Sequence, residues 1–319
     1  MKGLRWVGLL VGVLLFALIL RTVNLPEVWR QISQLRWRFG MVLAFYVVIF
    51  GLDTVGWRFA LSRRWRDHVR LDRLFRARLA GEALNYVTPT AWVGGEPVKA
   101  YLLSTRHGVP MTDGMASVVV AKTTFTVSML AFIVTGLIVA LLTQPMPPTL
   151  WRWIILTLTV LTGLVALLLA AQFLRPFRRG LSALTRRLPR SVRALEATVR
   201  EWDHAITTFY RQSPRGVLGS FGFHFLGWAA GVGEVFLILR LLQIPVSLAT
   251  AWSVEALWVL LKSCAFLIPA SLGASEGFLL LVCAGLGINA VSGLALGLIR
   301  RARELVWVGL GLVEFSRGR

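Results

Sequence analysis

Seven apolar stretches near the length of a membrane-spanning helix dominate the sequence of 319 residues. A helix needs about 20 apolar residues to cross a bilayer, and a helix that is apolar on all sides belongs in lipid. Charged residues make up only 16% of the chain, against about a quarter in soluble domains. We therefore predict an all-α, polytopic membrane helix bundle that forms a single transmembrane domain over residues 1–319. The stretches lie at about 4–20, 39–61, 113–142, 150–174, 217–242, 248–268 and 290–316.

The basic residues that produce a formal net charge of +20 concentrate in the connections between these stretches. Residues 62–78 hold seven arginines, and residues 175–215 hold ten. Loops with such an excess of arginine stay on the cytoplasmic side, so the pattern favours a membrane protein over a nucleic-acid-binding one. We place both loops and both chain termini in the cytoplasm. The loop 21–38 is then external although it holds four arginines, and its Trp29 and Trp37 indicate a place in the membrane interface.

Within residues 175–215, apolar side chains recur at alternating steps of three and four. This spacing draws one apolar stripe along a helix, with arginines on the other faces. A cytoplasmic, basic, amphipathic linker of this kind fits two arrangements: a helix lying on an anionic membrane surface, or a helix packed on the loop 62–78. The stripe consists of Leu181, Leu184, Leu188, Val192, Leu195, Val199, Trp202, Ile206 and Phe209.

Two shorter segments, at about 79–105 and 269–289, are punctuated by glycine and proline and resemble each other. In both, a proline is followed seven residues later by a glutamate, with glycine in between. The matches extend outward at nearly constant intervals, which indicates an internal duplication. The matched pairs are Glu82 with Lys262, Pro89 with Pro269, Glu96 with Glu276, Gly108 with Gly287, and Lys122 with Arg301.

The duplication places repeat 1 at about 39–142 and repeat 2 at about 217–316. With the basic loops in the cytoplasm, the broken segment of repeat 1 starts inside the cell and that of repeat 2 starts outside. We therefore predict inverted repeats, each with a broken, re-entrant helical hairpin, as in many transporters. The second hairpin is also long enough to span the membrane instead. The prolines end the first half-helices, and Gly94, Gly95 and Gly273 allow the sharp turns.

Ionisable residues inside membrane spans are energetically costly and are therefore candidates for function. We predict that Lys122, Arg301 and Arg303 bind an anionic head group, and that Glu96 and Glu276 position these bases or switch them by protonation. The alternative is that such charges are internal ion pairs that hold the bundle together. Residues expected to support the site are Glu82, Asn85, Pro89, Gly94, Gly95, Lys99, Lys262, Pro269, Gly273 and Glu304.

The last apolar stretch contains the run Arg300-Arg301-Ala302-Arg303-Glu304 near its middle. Residues four apart lie on one face of a helix, so Arg300 can pair with Glu304. Arg301 and Arg303 then need other partners, and Glu96, Glu276 or a phosphate-bearing lipid head group are candidates. No HExxH, P-loop, GxSxG or CxxC motif is present. We therefore assign no catalytic residue, metal or cofactor. An enzyme that transfers a group to or from a lipid-linked substrate, and a non-transporting scaffold of a lipid-synthesis complex, remain as alternatives.

Two motifs resemble the signatures of the lysylphosphatidylglycerol synthase transmembrane (flippase) family. The first is Asn85-x3-Pro89-x4-Gly94-Gly95-Glu96, followed by Lys99 and Gly108, and the second is Pro269-x3-Gly273-x2-Glu276-Gly277. The resemblance covers about residues 30–316. The ending Arg300-Arg301-Ala302-Arg303-Glu304-Leu305 is similar to the branch encoded with hopanoid biosynthesis.

The resemblance implies a lipid translocase of the bacterial inner (cytoplasmic) membrane rather than an enzyme. It would move an anionic or aminoacylated phospholipid, or a hopanoid-type lipid, between leaflets, with membrane lipids and lipid-biosynthesis enzymes as partners. Two positions depart from the family pattern. Lys99 and Lys122 stand where arginine is common, and lysine lacks the bidentate fork of arginine, so the preferred head group is expected to differ.

Overall fold

A computed structural model describes residues 21, 23–88, 94–144, 148–173, 201–202, 204–265 and 268–317. These residues form helices and no strand, which confirms the predicted all-α bundle. The helices are α1 (Leu25–Ser33), α2 (Phe39–Ala60), α3 (Arg63–His68), α4 (Leu71–Val87), α5 (Glu96–His107), α6 (Met111–Thr143), α7 (Pro148–Phe173), α8 (Pro214–Leu241), α9 (Leu248–Cys264), α10 (Ala274–Gly285) and α11 (Ala290–Ser316). Short 3₁₀ segments lie at Arg36–Arg38 and Pro269–Ser271, and residues 204–212 are also helical.

Six of the predicted apolar stretches coincide with helices, namely α2, α6, α7, α8, α9 and α11. The stretch 4–20 lies outside the described residues. In the part of the chain that the structure describes, three helical segments are long and apolar enough to cross a membrane: Arg36–Ala60, Met111–Thr143 and Pro214–Leu241. Helix α11 has the length to span as well, but the charged run at its centre interrupts its apolar character.

Local chemistry explains where several helices begin and end. The side chains of Ser247 and Asn289 accept hydrogen bonds from backbone N–H groups in the first turns of α9 and α11, as N-cap residues do. The half-helix α5 ends at Gly108 with a φ of 66°, and α10 is followed by Gly287 with a φ of 76°. Such left-handed conformations favour glycine. A left-handed glycine therefore lies at or just after the end of each of the two matched half-helices.

Each repeat contains the predicted break. Helix α4 ends at Val87 and α5 begins at Glu96, while α9 ends at Cys264 and α10 begins at Ala274. Residues 89–93, with Pro89, lie outside the described residues. In the second break, the backbone of Ala270, Ser271 and Gly273 is left-handed. For the two residues other than glycine this conformation is energetically unfavourable, and it persists where surrounding contacts enforce it.

Helices from the two halves of the chain pack on one another. Helices α2 and α8, which precede the breaks, pack on each other. The first arm of each hairpin packs on the long helix of the other half: α4 on α11, and α9 on α6. Within each half, the second arm packs on the following long helix: α5 on α6, and α10 on α11. This arrangement of helix contacts is the one expected if the two repeats have the same fold and pack against each other.

Contacts at the helix ends show that the two hairpins enter the bundle from opposite ends. At one end, Arg106 near the end of α5 pairs with Glu314 near the end of α11, at 3.1 Å. Trp65 bonds Asp113 at the start of α6, so α6 begins at the end where α11 finishes. At the other end, Gln144 after α6 lies 3.3 Å from Thr250 at the start of α9. The orientation of these ends relative to the cytoplasm stays a prediction.

The described part of the basic linker packs on the protein. Phe209 is buried in an apolar cluster with Trp65 and Val69 of the loop 62–78. Ile206 and Tyr210 pack against the same cluster. For residues 204–212 the structure therefore favours the second of the two predicted arrangements, a helix packed on that loop. Residues 174–200, which carry most of the stripe, lie outside the described residues.

Candidate functional site

The start of the half-helix α5 carries a buried cluster of charges. The ammonium of Lys99 lies 2.6 Å from Oε1 of Glu82 on α4 and 3.2 Å from both carboxylate oxygens of Glu96. The amide of Asn85 donates to Oε1 of Glu96 at 3.0 Å, and its Oδ1 accepts from the backbone N–H of Gly95 at 2.7 Å. Asn85 thereby fixes both the carboxylate and the backbone at the break.

Gly95 makes the closest helix contact in this cluster. A Cβ atom added at Gly95 would lie 1.8 Å from the carbonyl oxygen of Gly81. The side chain of Lys99 also needs the space above Gly81, since a Cβ there would lie 2.3 Å from its Cγ. The glycines at 81 and 95 therefore allow α4 and α5 to approach closely enough for the ion pairs to form.

Replacing Gly95 by alanine is expected to destabilise the protein by about 1–3 kcal/mol, because neither backbone can yield without breaking the hydrogen bonds at the break. The measurement is the thermal unfolding midpoint in detergent. Gly51→Ala is the matched control, since Gly51 is helical and nothing lies within 4 Å of an added Cβ. If both variants unfold at the same temperature, the close approach at Gly95 is not essential.

Lys122 of α6 extends the cluster toward an accessible surface. Its ammonium lies 3.5 Å from Oε1 of Glu96 and 5.8 Å from the ring centre of Phe125. Its side chain is 42% exposed, whereas that of Lys99 is 8% exposed. Two turns along α6, Met129 contacts Ser263, which precedes the second break. Lys122 thus lies beside the first break on a helix that also borders the second.

The corresponding cation of repeat 2 is Arg301. Lys122 is the twelfth residue of α6, and Arg301 is the twelfth residue of α11. Nε of Arg301 lies 2.7 Å from Oε1 of Glu276, which repeats the pairing of Lys122 with Glu96. Both pairs join a long helix to the first turn of its half-helix. The matched spacing in the sequence therefore corresponds to matched ion pairs in space.

Arg301 is held more tightly than Lys122. Its side chain is 11% exposed, and its Nη1 donates to the carbonyl oxygen of Ala270 in the second break at 3.1 Å. Nη1 also contacts Oε2 of Glu304 at 3.2 Å and the hydroxyl of Tyr86 on α4. Because α4 carries both Tyr86 and Asn85, it connects the polar groups of the two repeats.

Arg300 and Arg303 point into a second buried cluster. Arg300 lies 2.7 Å from Oε2 of Glu255 and 3.1 Å from Oε2 of Glu234. The pairing of Arg300 with Glu304, which the spacing allows, is not the one found. Two carboxylates from neighbouring helices bind the guanidinium of Arg300, and Glu304 contacts Arg301, Arg303 and Lys262. The burial of both Glu234 and Glu255 explains this choice, since each requires a counter-charge.

Arg303 shares Glu304 with Arg301 and Lys262, but its closest contacts lie in the second cluster. It pairs with Oε1 of Glu234 at 2.8 Å, lies 4.0 Å above the ring of Tyr46, and is 6% exposed at its side chain. A head group would have to displace these contacts to reach it. Among the supporting residues, Lys262 lies 3.7 Å from Glu304 and 4.4 Å above the ring of Trp258.

Sequence reasoning missed three members of the network. Nothing in the sequence singled out Tyr46 and Tyr86, and the sequence placed Arg78 in a basic loop. In the structure, Arg78 lies within α4, is buried, and bonds Asp53 at 3.0 Å. A helical register that begins at Leu71 and places Arg78 four residues before Glu82 would have revealed it.

Comparisons with known proteins show the family of the chain. The profile of the family described as "Lysylphosphatidylglycerol synthase TM region" matches residues 5–311. The chain belongs to this family. It is also similar to a protein described as "UPF0104 membrane protein" from Methanothermobacter thermautotrophicus, with 25% identity over 304 residues, covering 91% of this chain and 88% of the relative. No solved structure matches the chain. The family assignment and the spanning helices establish a multi-pass membrane protein.

Proposed function

We propose that this protein is a lipid translocase that moves an anionic lipid head group between membrane leaflets. The supporting observation is the half-exposed ammonium of Lys122, which ends a chain of buried ion pairs at a break in the membrane helices. An ammonium has three donors, and its pairing with Glu96 at 3.5 Å leaves capacity for a phosphate. The acyl chains would remain in lipid while the head group passes.

Three features favour a translocase over a non-transporting scaffold. Irregular backbone at membrane depth is tolerated only where protein or water covers it. The two hairpins enter from opposite ends, and each long helix carries a cation at the same distance from its start. A site built this way is accessible from alternate sides if one repeat rocks against the other.

Within this proposal, Lys122 is the primary contact for the head group and Arg301 a secondary one, through donors that Glu276 and Glu304 do not occupy. Arg303 is assigned to the ion-pair cluster that holds α11 in the bundle. The proposed location is the inner membrane with both termini in the cytoplasm. An anionic phospholipid fits a single ammonium better than a neutral polycyclic lipid, so we place phosphatidylglycerol-like substrates ahead of hopanoids.

The experiment is translocation of head-group-labelled lipid in proteoliposomes. We expect the wild-type protein to move labelled phosphatidylglycerol at least about tenfold faster than labelled phosphatidylcholine, a difference of about 1.4 kcal/mol in the barrier. Empty liposomes provide the baseline. Equal rates with and without protein for both lipids would contradict the proposal, and product formation from a lipid and a group donor would instead favour the enzymatic alternative.

A further inference from the structure

His224 of α8 is a buried histidine in the bundle core. It is 2% exposed. Two of the chain's three other histidines, His68 and His204, are exposed. The imidazole of His224 lies against Gly56 of α2, where an added Cβ would come within 2.9 Å of the ring. Any residue larger than glycine at position 56 would therefore clash with the imidazole in its present position. The glycine provides the space that the ring of His224 occupies.

One ring nitrogen of His224 is bonded and the other is not. Nδ1 lies 3.0 Å from Oδ1 of Asp53. Nε2 is buried and has no hydrogen-bond partner among the described residues. A neutral imidazole that donates from Nδ1 to a carboxylate exposes the lone pair of Nε2, which can accept a proton. The carboxylate would stabilise the resulting imidazolium.

Asp53 connects His224 to the head-group site. Its Oδ2 accepts from Nη2 of Arg78 at 3.0 Å, and Nε of Arg78 lies 4.0 Å from Oε1 of Glu82. From Glu82 the ion pairs already described continue through Lys99 and Glu96 to Lys122. Five helices, α8, α2, α4, α5 and α6, thus contribute to one chain of polar groups that begins at His224 and ends at the accessible ammonium.

The charges along this chain balance. It contains three acids, Asp53, Glu82 and Glu96, and three bases, Arg78, Lys99 and Lys122, so it is neutral while His224 is neutral. From α6, the group that faces the imidazole is the ring of Phe125, with ring centres 5.4 Å apart. The ammonium of Lys122 lies 5.8 Å from the centre of the same ring. One added proton would leave the chain with an excess positive charge in a poorly screened interior.

We infer that His224 is a proton-binding site coupled to the anionic head group at Lys122, which makes this protein a proton-linked translocase. The inference rests on the proposed function. A proton binds the lone pair of Nε2, and the anion at Lys122 balances the added charge. When the head group leaves, the uncompensated charge returns the proton to water. By linkage, the proton raises the affinity for the anion by the same factor by which the anion raises the affinity for the proton.

The test is the affinity of detergent-purified protein for phosphatidylglycerol as a function of pH. A phosphodiester keeps its negative charge between about pH 6 and about pH 8, the range in which a histidine titrates. We expect wild-type affinity to weaken about tenfold from the lower to the higher pH, which by linkage corresponds to an average uptake of about half a proton per lipid bound in weak buffer.

His224→Asn should abolish this dependence, because an amide keeps a donor for Asp53 but cannot be protonated. His204→Asn is the matched control: His204 is exposed, its Nδ1 contacts Thr208, and its removal should leave the pH dependence unchanged. Wild-type affinity that does not vary with pH would overturn the inference, whether or not the variants fold, and so would an unchanged dependence in His224→Asn.

Failure of the inference is distinguishable from failure of the proposed function. If the protein translocates lipid but its lipid affinity does not depend on pH, the proposed function stands and the inference of proton coupling fails. If lipid binding depends on pH as expected but no lipid is translocated in proteoliposomes, the coupling of His224 to the anion site stands and the proposed translocase function fails.

Discussion

Lys122→Gln is expected to reduce translocation of labelled phosphatidylglycerol at least about tenfold, while the unfolding midpoint in detergent stays close to that of the wild type. The loss of function follows from removal of the accessible positive charge at the break. The preserved stability follows from the contacts of Glu96, which keeps Lys99 at 3.2 Å and Asn85 at 3.0 Å when Lys122 is gone. A tenfold effect corresponds to about 1.4 kcal/mol in the transition state.

Two further variants make this result interpretable. Lys122→Arg retains the charge and should retain most of the activity, with a changed preference among head groups because guanidinium binds phosphate through two donors. Arg240→Gln removes an exposed positive charge at the end of α8, where it lies over Phe236, and should leave the rate unchanged. If Lys122→Gln and Arg240→Gln transport equally well, the ammonium at the break does not contact the substrate.

Arg300→Ala is expected to destabilise the protein by about 3–5 kcal/mol, the range seen when one partner of a buried ion pair is removed. Glu255 and Glu234 are 3% and 1% exposed, and Arg300 lies within 3.1 Å of both. Arg303 would still contact Glu234, but Glu255 would lose the partner 2.7 Å away. The measurement is unfolding in detergent followed by tryptophan fluorescence.

Arg317→Ala is the control for this effect, because Arg317 caps the end of the same helix and is exposed. It should change the free energy of unfolding by no more than about 0.5 kcal/mol. Adding Glu255→Gln to Arg300→Ala should recover part of the loss, since the amide removes the uncompensated charge. Comparable stability of Arg300→Ala and Arg317→Ala would show that the carboxylates find another counter-charge.

The helices and the matched positions of the repeats were predictable because they depend on local chemistry. Apolar runs define α2, α6, α8 and α11, and a glycine after each half-helix, Gly108 and Gly287, adopts the left-handed conformation that ends it. The sequence indicated that Arg301 needs a counter-charge at depth, with Glu276 as one of the candidate partners, and the structure shows that pair. The matching intervals aligned Lys122 with Arg301 and Glu96 with Glu276, but the pairing of Lys122 with Glu96 is known only from the structure.

What could not be predicted depends on which helices are neighbours. The spacing of Arg300 and Glu304 favours a pair on one face, yet a buried guanidinium with several donors is better satisfied by Glu234 and Glu255 on two other helices. Similarly, the link from His224 to Asp53 joins residues 171 positions apart, and no periodicity in the sequence indicates it. Tyr86 becomes a site residue only because α4 packs on α11.

The central claim places an anionic head group at Lys122, between the two broken hairpins. The most direct measurement is an experimental structure of the protein in nanodiscs that contain phosphatidylglycerol. The account predicts density for a phosphate about 3 Å from Nζ of Lys122, the distance of a charge-assisted hydrogen bond, and loss of that density in Lys122→Gln. Phosphate density that is found only at the membrane surface, with Lys122 contacting protein groups alone, would contradict it.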